Sequence, residues 1–254
     1  MLEAVHLAKN YSSIPAVKDA SFLLRPGQVL GCLGPNGSGK STIVKMLTGL
    51  ISPTKGEVRF NGQNIRDDLL QFRKHLGYVP EEPNLYPYLS GYEYLELIGT
   101  LRGMPARKLE EKAGALLESF SLYPHRHAAM GSYSKGMRQR VLLISALLDN
   151  PQVFIFDEPL SGLDVTSALI FKNLIRTLGG AGKVVFYCSH VLEVVEKVCT
   201  DLLVLRKGDV LAQGRTESVR QTERRSLEEA FLHLVQDVDI EQVATNIFEV
   251  MSAA

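Results

Sequence analysis

Net charge is what this chain most plainly lacks. Its 28 Lys+Arg are matched by 28 Asp+Glu, so the formal charge is zero. It has no global basic field to hold a polyanion, which weakens a nucleic-acid reading. Cysteine is scarce: three residues, Cys32, Cys188 and Cys199, at spacings that suit no metal site. Cys32 and Cys188 sit in apolar strand-like runs and read as small core residues, suited to a reducing cytosol. No long hydrophobic run occurs. Val141-Leu142-Leu143-Ile144, extended past Ser145 to Leu148, falls far short of the roughly 20 residues that span a bilayer. The start, Met1-Leu2-Glu3-Ala4-Val5-His6, has neither the charge nor the apolar stretch of a secretion signal. Internal repeats and low-complexity segments are also missing.

What is present is 45% hydrophobic residues over 254 positions. That suffices for one large domain, or one domain with an inserted subdomain. The most informative stretch is Gly34-Pro35-Asn36-Gly37-Ser38-Gly39-Lys40-Ser41-Thr42, which fits G-x-x-x-x-G-K-[ST] at every fixed position. The glycines let the backbone curl and aim several N–H groups at one anion. Lys40 adds a compact positive charge for the β- and γ-phosphates, and the Ser41 hydroxyl is placed to ligate Mg²⁺. Residues 28–33 before it read as a buried strand and 42–47 after it as a helix, whose positive dipole end adds to the anion site.

Short apolar runs alternate with helix-like stretches, which predicts α/β layers. Residues 2–8 and 17–24 look like strands of an N-terminal β region, and Asn61-Gly62 marks a hairpin between 57–60 and 63–65. From about 84 to 150 the pattern is helical. There Met137, Val141, Ile144 and Leu148 fall on one helix face, and Ser134 precedes that helix as an N-cap candidate. Strands follow at 153–156 and 184–188 with a helix at 168–178 between them, then a hairpin at 202–212. Ser226-Leu227-Glu228-Glu229 is a capping-box pattern, ahead of an apolar stripe Leu227, Phe231, Leu234, Val238 and a last helix over 240–251. The expected fold is α/β: a P-loop NTPase core, mostly parallel sheet flanked by helices, with an N-terminal antiparallel β region and an inserted helical subdomain. The expected division is a nucleotide-binding domain over 1–214 (core 1–83 and 151–214, helical subdomain 84–150) and a helical tail over 215–254.

A second motif is Phe154-Ile155-Phe156-Asp157-Glu158-Pro159. A hydrophobic strand delivers two acids at its C-terminal end, where open α/β sheets place their ligands. Asp157 would hold Mg²⁺, and Glu158 would polarise the water that attacks the γ-phosphate.

A third motif, Tyr133-Ser134-Lys135-Gly136-Met137-Arg138-Gln139-Arg140, resembles the signature sequence of ATP-binding cassette (ABC) ATPases, usually Leu-Ser-Gly-Gly-Gln. Tyr11 resembles the aromatic that stacks on adenine, Ser161-Gly162-Leu163-Asp164 the D-loop, and Ser189-His190 the switch histidine. The ordered set covers residues 2 to about 235 and looks most like ATP-binding subunits of transporters whose membrane subunit is a separate chain, export systems especially. The resemblance implies that Ser134 and Gly136, at a helix N-terminus, address the γ-phosphate held by a second nucleotide-binding subunit. It implies that His190 contacts the γ-phosphate and that Asp164 reaches across the dimer. The implied protein binds ATP and Mg²⁺, pairs with a second copy, lies on the cytoplasmic face of a membrane and serves integral membrane transporter subunits. A soluble ABC ATPase acting on nucleic acid, ribosomes or protein complexes is the alternative, and a nucleotide-binding module without hydrolysis is a third reading. Three departures stand out. Glu81 occupies the Q-loop position, where it can accept a water or Mg²⁺ contact but cannot donate as an amide does. Lys135 replaces the first signature glycine, and Tyr133 and Met137 replace Leu and Gln. Tyr86-Pro87-Tyr88 falls where the family meets a short helix of the membrane subunit.

Overall fold

The fold is seen in a computed structural model, which describes residues 1–218 together with 245, 248, 250 and 251. The capping-box pattern at 226–229 and the stripe from Leu227 to Val238 lie outside the described residues. So does most of the helix expected over 240–251.

The chain opens with two antiparallel strands, β1 (Leu2–Tyr11) and β2 (Ile14–Leu24), followed by the loop strand β3 (Val29–Leu33) and helix α1 (Lys40–Leu47). The hairpin β4 (Lys55–Phe60) and β5 (Gln63–Asn64) turns at Asn61 and Gly62, both with positive φ, as a tight hairpin between right-twisted strands demands. A short helix α2 (Leu69–Lys74) leads to β6 (Leu76–Val79). Then come α3 (Gly91–Leu101), α4 (Ala106–Ser119) and α5 (Lys135–Leu147), before β7 (Val153–Asp157), α6 (Val165–Gly180), β8 (Val184–Cys188) and α7 (Leu192–Val198). Strands β9 (Asp201–Arg206) and β10 (Asp209–Arg215) close the described fold.

The ten strands run in the order β5-β4-β1-β2-β10-β9-β3-β8-β7-β6. The half from β9 to β6 is parallel throughout, and β1, β2, β4 and β5 form an antiparallel arm. The central strands β3, β7 and β8 are buried at every residue, as a sheet covered on both faces requires. Along β7 the side chains alternate. Val153 and Ile155 join the core under α1 and the antiparallel arm, while Phe154 and Phe156 join the core under α6 and α7.

The three helices α3–α5 lie between β6 and β7, which pair side by side with Leu76 opposite Val153. The chain therefore leaves the sheet and returns to the adjacent strand. Ser90 and Glu93 form a reciprocal capping box that starts α3. Leu95, Leu109, Leu117, Met130, Tyr133, Val141 and Ile144 make a core of their own. Helix α5 is apolar on two faces: Val141, Ile144 and Leu148 face that helical core, while Leu142, Leu143 and Ala146 face the sheet. A single periodic stripe describes half of this helix, because α5 is sandwiched between two cores. The helix expected at 168–178 runs longer at both ends, since α6 covers Val165–Gly180.

Candidate active site

The C-terminal ends of β3, β6, β7 and β8 open on one cavity of about 600 Å³. Gly34, Asn36, Gly37, Gly39, Lys40, Ser41 and Thr42 line it from the loop after β3, Glu81 from the segment after β6, Asp157 and Glu158 from the end of β7, and His190 from the end of β8. Residues far apart in sequence thus meet because parallel strands end on one edge.

The loop is sterically determined. Gly39 has φ 109°, and a Cβ on it would sit 2.5 Å from the Ala16 carbonyl oxygen. A Cβ on Gly34 would sit 2.4 Å from Ser38 Oγ. No side chain caps α1, its first turn has no acid, and Gly39 to Thr42 line the cavity; a helix N-terminus so placed is a ready anion site. Lys40 is folded into the loop, its Nζ donating to the Gly34 carbonyl at 2.6 Å and to the Pro35 carbonyl at 3.1 Å. Ser38 is buried and its Oγ has no partner among the described residues.

Opposite the loop stand the acids. Asp157 is 6% exposed. Burial, with the charge of Glu81 added to it, pushes its carboxyl up to about 6, and the Glu158 charge adds less. Such a group is starved of positive charge. The Ser41 hydroxyl with the carboxylates of Asp157 and Glu81, hard oxygens around one cavity, fits a Mg²⁺ ion.

Glu158 is the most constrained residue of the site. Its φ of 47° is left-handed, a conformation that costs a non-glycine residue about 1–3 kcal/mol and persists only where surroundings impose it. Its N–H donates to the Cys188 carbonyl at 2.9 Å. Its Oε1 lies 2.8 Å from His190 Nδ1, and its Oε2 accepts from Ser189 Oγ at 3.1 Å. The His190 ring is otherwise open, with 72% of the side chain exposed. Ser189 is therefore a site residue that sequence reasoning passed over. Its place beside His190 was the available signal.

Five expected residues do not line the cavity: Ser38, buried within the loop, and Tyr11, Ser134, Gly136 and Asp164. Tyr11 is 47% exposed, with Lys9 Nζ 5.5 Å from its ring centroid. Ser134 caps α5 by accepting from the Met137 N–H at 3.2 Å. Gly136 sits against Gly162. Asp164 caps α6, accepting from the Ser167 N–H at 2.8 Å and from Ser167 Oγ at 2.7 Å, and those bonds hold its carboxyl below the usual range. Lys135 is exposed and lines no part of the cavity; its Nζ donates to Ser161 Oγ at 3.0 Å. Tyr133 is packed, its hydroxyl donating to the His125 carbonyl at 2.6 Å. Tyr86 and Tyr88 are exposed.

A phosphate loop between strand and helix, acids on the neighbouring strands, a helical insert and an antiparallel arm together define a P-loop nucleoside triphosphatase of the cassette type. The ABC transporter domain matches residues 17–161, and the chain belongs to that family: it is an ABC ATPase, the ATP-binding subunit kind. The uncharacterized ABC transporter ATP-binding protein YxlF of Bacillus subtilis is 36% identical over 227 residues, 89% of this chain and 75% of that protein. The Nod factor export ATP-binding protein I of Ralstonia nicotianae is 34% identical over 85% of this chain and 67% of its own length. Among solved structures, an ATP-binding subunit of an ABC transporter superposes with a TM-score of 0.87 at 30% identity, covering 92% of this chain and 99% of the other. The cassette MJ0796, dimeric and bound to ADP and Pi in a post-hydrolysis state, gives 0.79 at 26% identity, covering 85% of this chain and 99% of its own. Among the described residues no helix is long and apolar enough to cross a membrane.

Proposed function

We propose that two copies of this chain clamp two MgATP between the phosphate loop of one and the Ser134 helix tip of the other, and that closure drives separate membrane subunits, in the direction of export. The observation that carries this reading is the divided site. The cavity holds the loop, the acids and His190, while Ser134, Gly136 and Asp164 stand outside it on the same chain. The likeness to a cassette that is dimeric with ADP and Pi supports the pairing. The likeness to a Nod factor export protein supports the direction.

In this reading the loop amides and Lys40 bind the phosphates, and Ser41, Asp157 and Glu81 hold Mg²⁺. The metal supplies charge neutralisation for the phosphate oxygens. Glu158 accepts the proton of the attacking water through a carboxylate that His190 orients at Oε1 and Ser189 at Oε2, and His190 then faces the γ-phosphate. Tyr11 stacks on the adenine. Residues 1–214 act as one nucleotide-binding domain with 84–150 as its helical insert, on the cytoplasmic face of a membrane. Tyr86 and Tyr88 supply apolar contact for the membrane subunit.

Purification from detergent extract tests the assignment. An integral membrane protein should co-elute with the chain. RNA or ribosomal protein in its place would transfer the chain to the soluble class of ABC ATPases. Glu158→Gln should slow phosphate release by about 10²–10⁴-fold, the worth of a general base, and an unchanged rate would remove Glu158 from that role.

A further inference from the structure

Three contacts join the opening turns of α5 to the loop at 159–162. Gln139 is completely buried and donates from Nε2 to the Pro159 carbonyl at 3.2 Å. Gly136 lies so close to Gly162 that a Cβ on it would sit 2.5 Å from the Gly162 carbonyl oxygen. Lys135 crosses above the same glycine, with its Cγ and Cδ each 3.2 Å from where a Gly162 Cβ would stand, and its Nζ reaches Ser161 Oγ at 3.0 Å.

Two features make this join more than packing. Pro159 follows Glu158 directly, and Glu158 holds its φ of 47° only while its neighbours fix it. Fixing the next carbonyl is one way to do so. Gln139 also keeps its Oε1 buried with no partner among the described residues. An unpaired buried polar atom lowers stability, and an apolar side chain of the same length would avoid that loss. Cohesion alone does not account for an amide at this position.

We propose that Gln139 and Lys135 are positioning residues for Glu158. They fasten the helix tip that carries Ser134 to the loop that leaves Glu158, so the two move as one body. The inference rests on the reading that Ser134 faces the γ-phosphate of a second copy. Engagement of one composite site is then delivered within a single chain to the carboxylate that serves the other, and the two sites answer each other without any contact between their nucleotides.

The test uses the full chain as Gln139→Met, Lys135→Met and Lys135→Arg. In Gln139→Met, kcat for phosphate release falls about tenfold, the effect of a displaced reacting group. The KM for MgATP stays unchanged, and the melting temperature stays level or rises. Lys135→Met shows a smaller loss of kcat, which Lys135→Arg restores. Independently of turnover, hydrogen exchange speeds up together at the amides of Met137 and Arg138 and at those of Ser161 and Leu163. Unchanged kcat in Gln139→Met, a KM rise that accounts for the lost rate, or faster exchange in one segment alone overturns the proposal. A wild-type chain that releases no phosphate would defeat the functional reading, while the exchange pattern would still judge the join.

Discussion

Lys40 spends its charge on two carbonyls of its own loop, at 2.6 and 3.1 Å, in a cavity walled on the far side by Glu81, Asp157 and Glu158. Arriving phosphates exchange those neutral acceptors for charged ones. Lys40→Ala should therefore weaken ATP binding by about two orders of magnitude, since charge-assisted hydrogen bonds each contribute about 1.5–3 kcal/mol. A fluorescent-nucleotide titration with wild-type affinity would contradict this. Asp157 gives a second residue-scale expectation. Its folded carboxyl titrates near 6, above the ordinary 3.8 of the unfolded chain, chiefly through burial and next through Glu81. The folded state then binds the proton more tightly. Without metal, stability falls as pH rises from about 4 to about 6 and levels off above that. Asp157→Asn should abolish that slope and stabilise the chain at pH 7 by up to about 3 kcal/mol, because each pH step between the two titration points is worth about 1.4 kcal/mol. Turnover is lost in the same variant. Denaturant melts in EDTA across this range check it, and equal slopes for the two proteins would refute it.

At the scale of elements, strand β7 and helix α6 hold the acids in place. Phe156, one residue before Asp157, meets Phe171 of α6 edge-on at 5.0 Å and 83°, and both rings are fully buried. Phe171→Ala should cost about 3–5 kcal/mol, read as a lowered denaturation midpoint, and should reduce turnover because Asp157 and Glu158 ride on that strand. A loss below about 1 kcal/mol would mean the site is supported elsewhere, since cavities in a tight core are rarely so cheap. Elements of this kind were open to reading from the residues. The all-apolar run Val153–Phe156 and the loop glycines record local demands of a covered strand and of a crowded turn. Contacts made at a distance leave no such trace. The second apolar face of α5, the bond from Ser189 to Glu158 and the bond from Lys135 to Ser161 depend on which segments the fold brings together. One-dimensional periodicity reports a face, not the partner that covers it.

For the molecule as a whole, the decisive property is that Ser134, Gly136 and Asp164 lie outside the cavity. Ser134 is exposed at the tip of α5, in a chain whose formal charge of zero opposes neither self-association nor its reverse. In the proposed pairing, bound triphosphate changes that balance, because a second helix N-terminus then completes its charge. Glu158→Gln, which arrests turnover, should therefore run as a dimer in gel filtration with MgATP and as a monomer with MgADP. Adding Ser134→Arg, which fills the space at the tip, should abolish the dimer while leaving nucleotide affinity of the single chain intact, since Ser134 lines no part of its own cavity. A dimer that survives Ser134→Arg would place the contact between copies on another face. A Glu158→Gln chain that stays monomeric at saturating MgATP would show that the phosphates are completed by something other than a second copy.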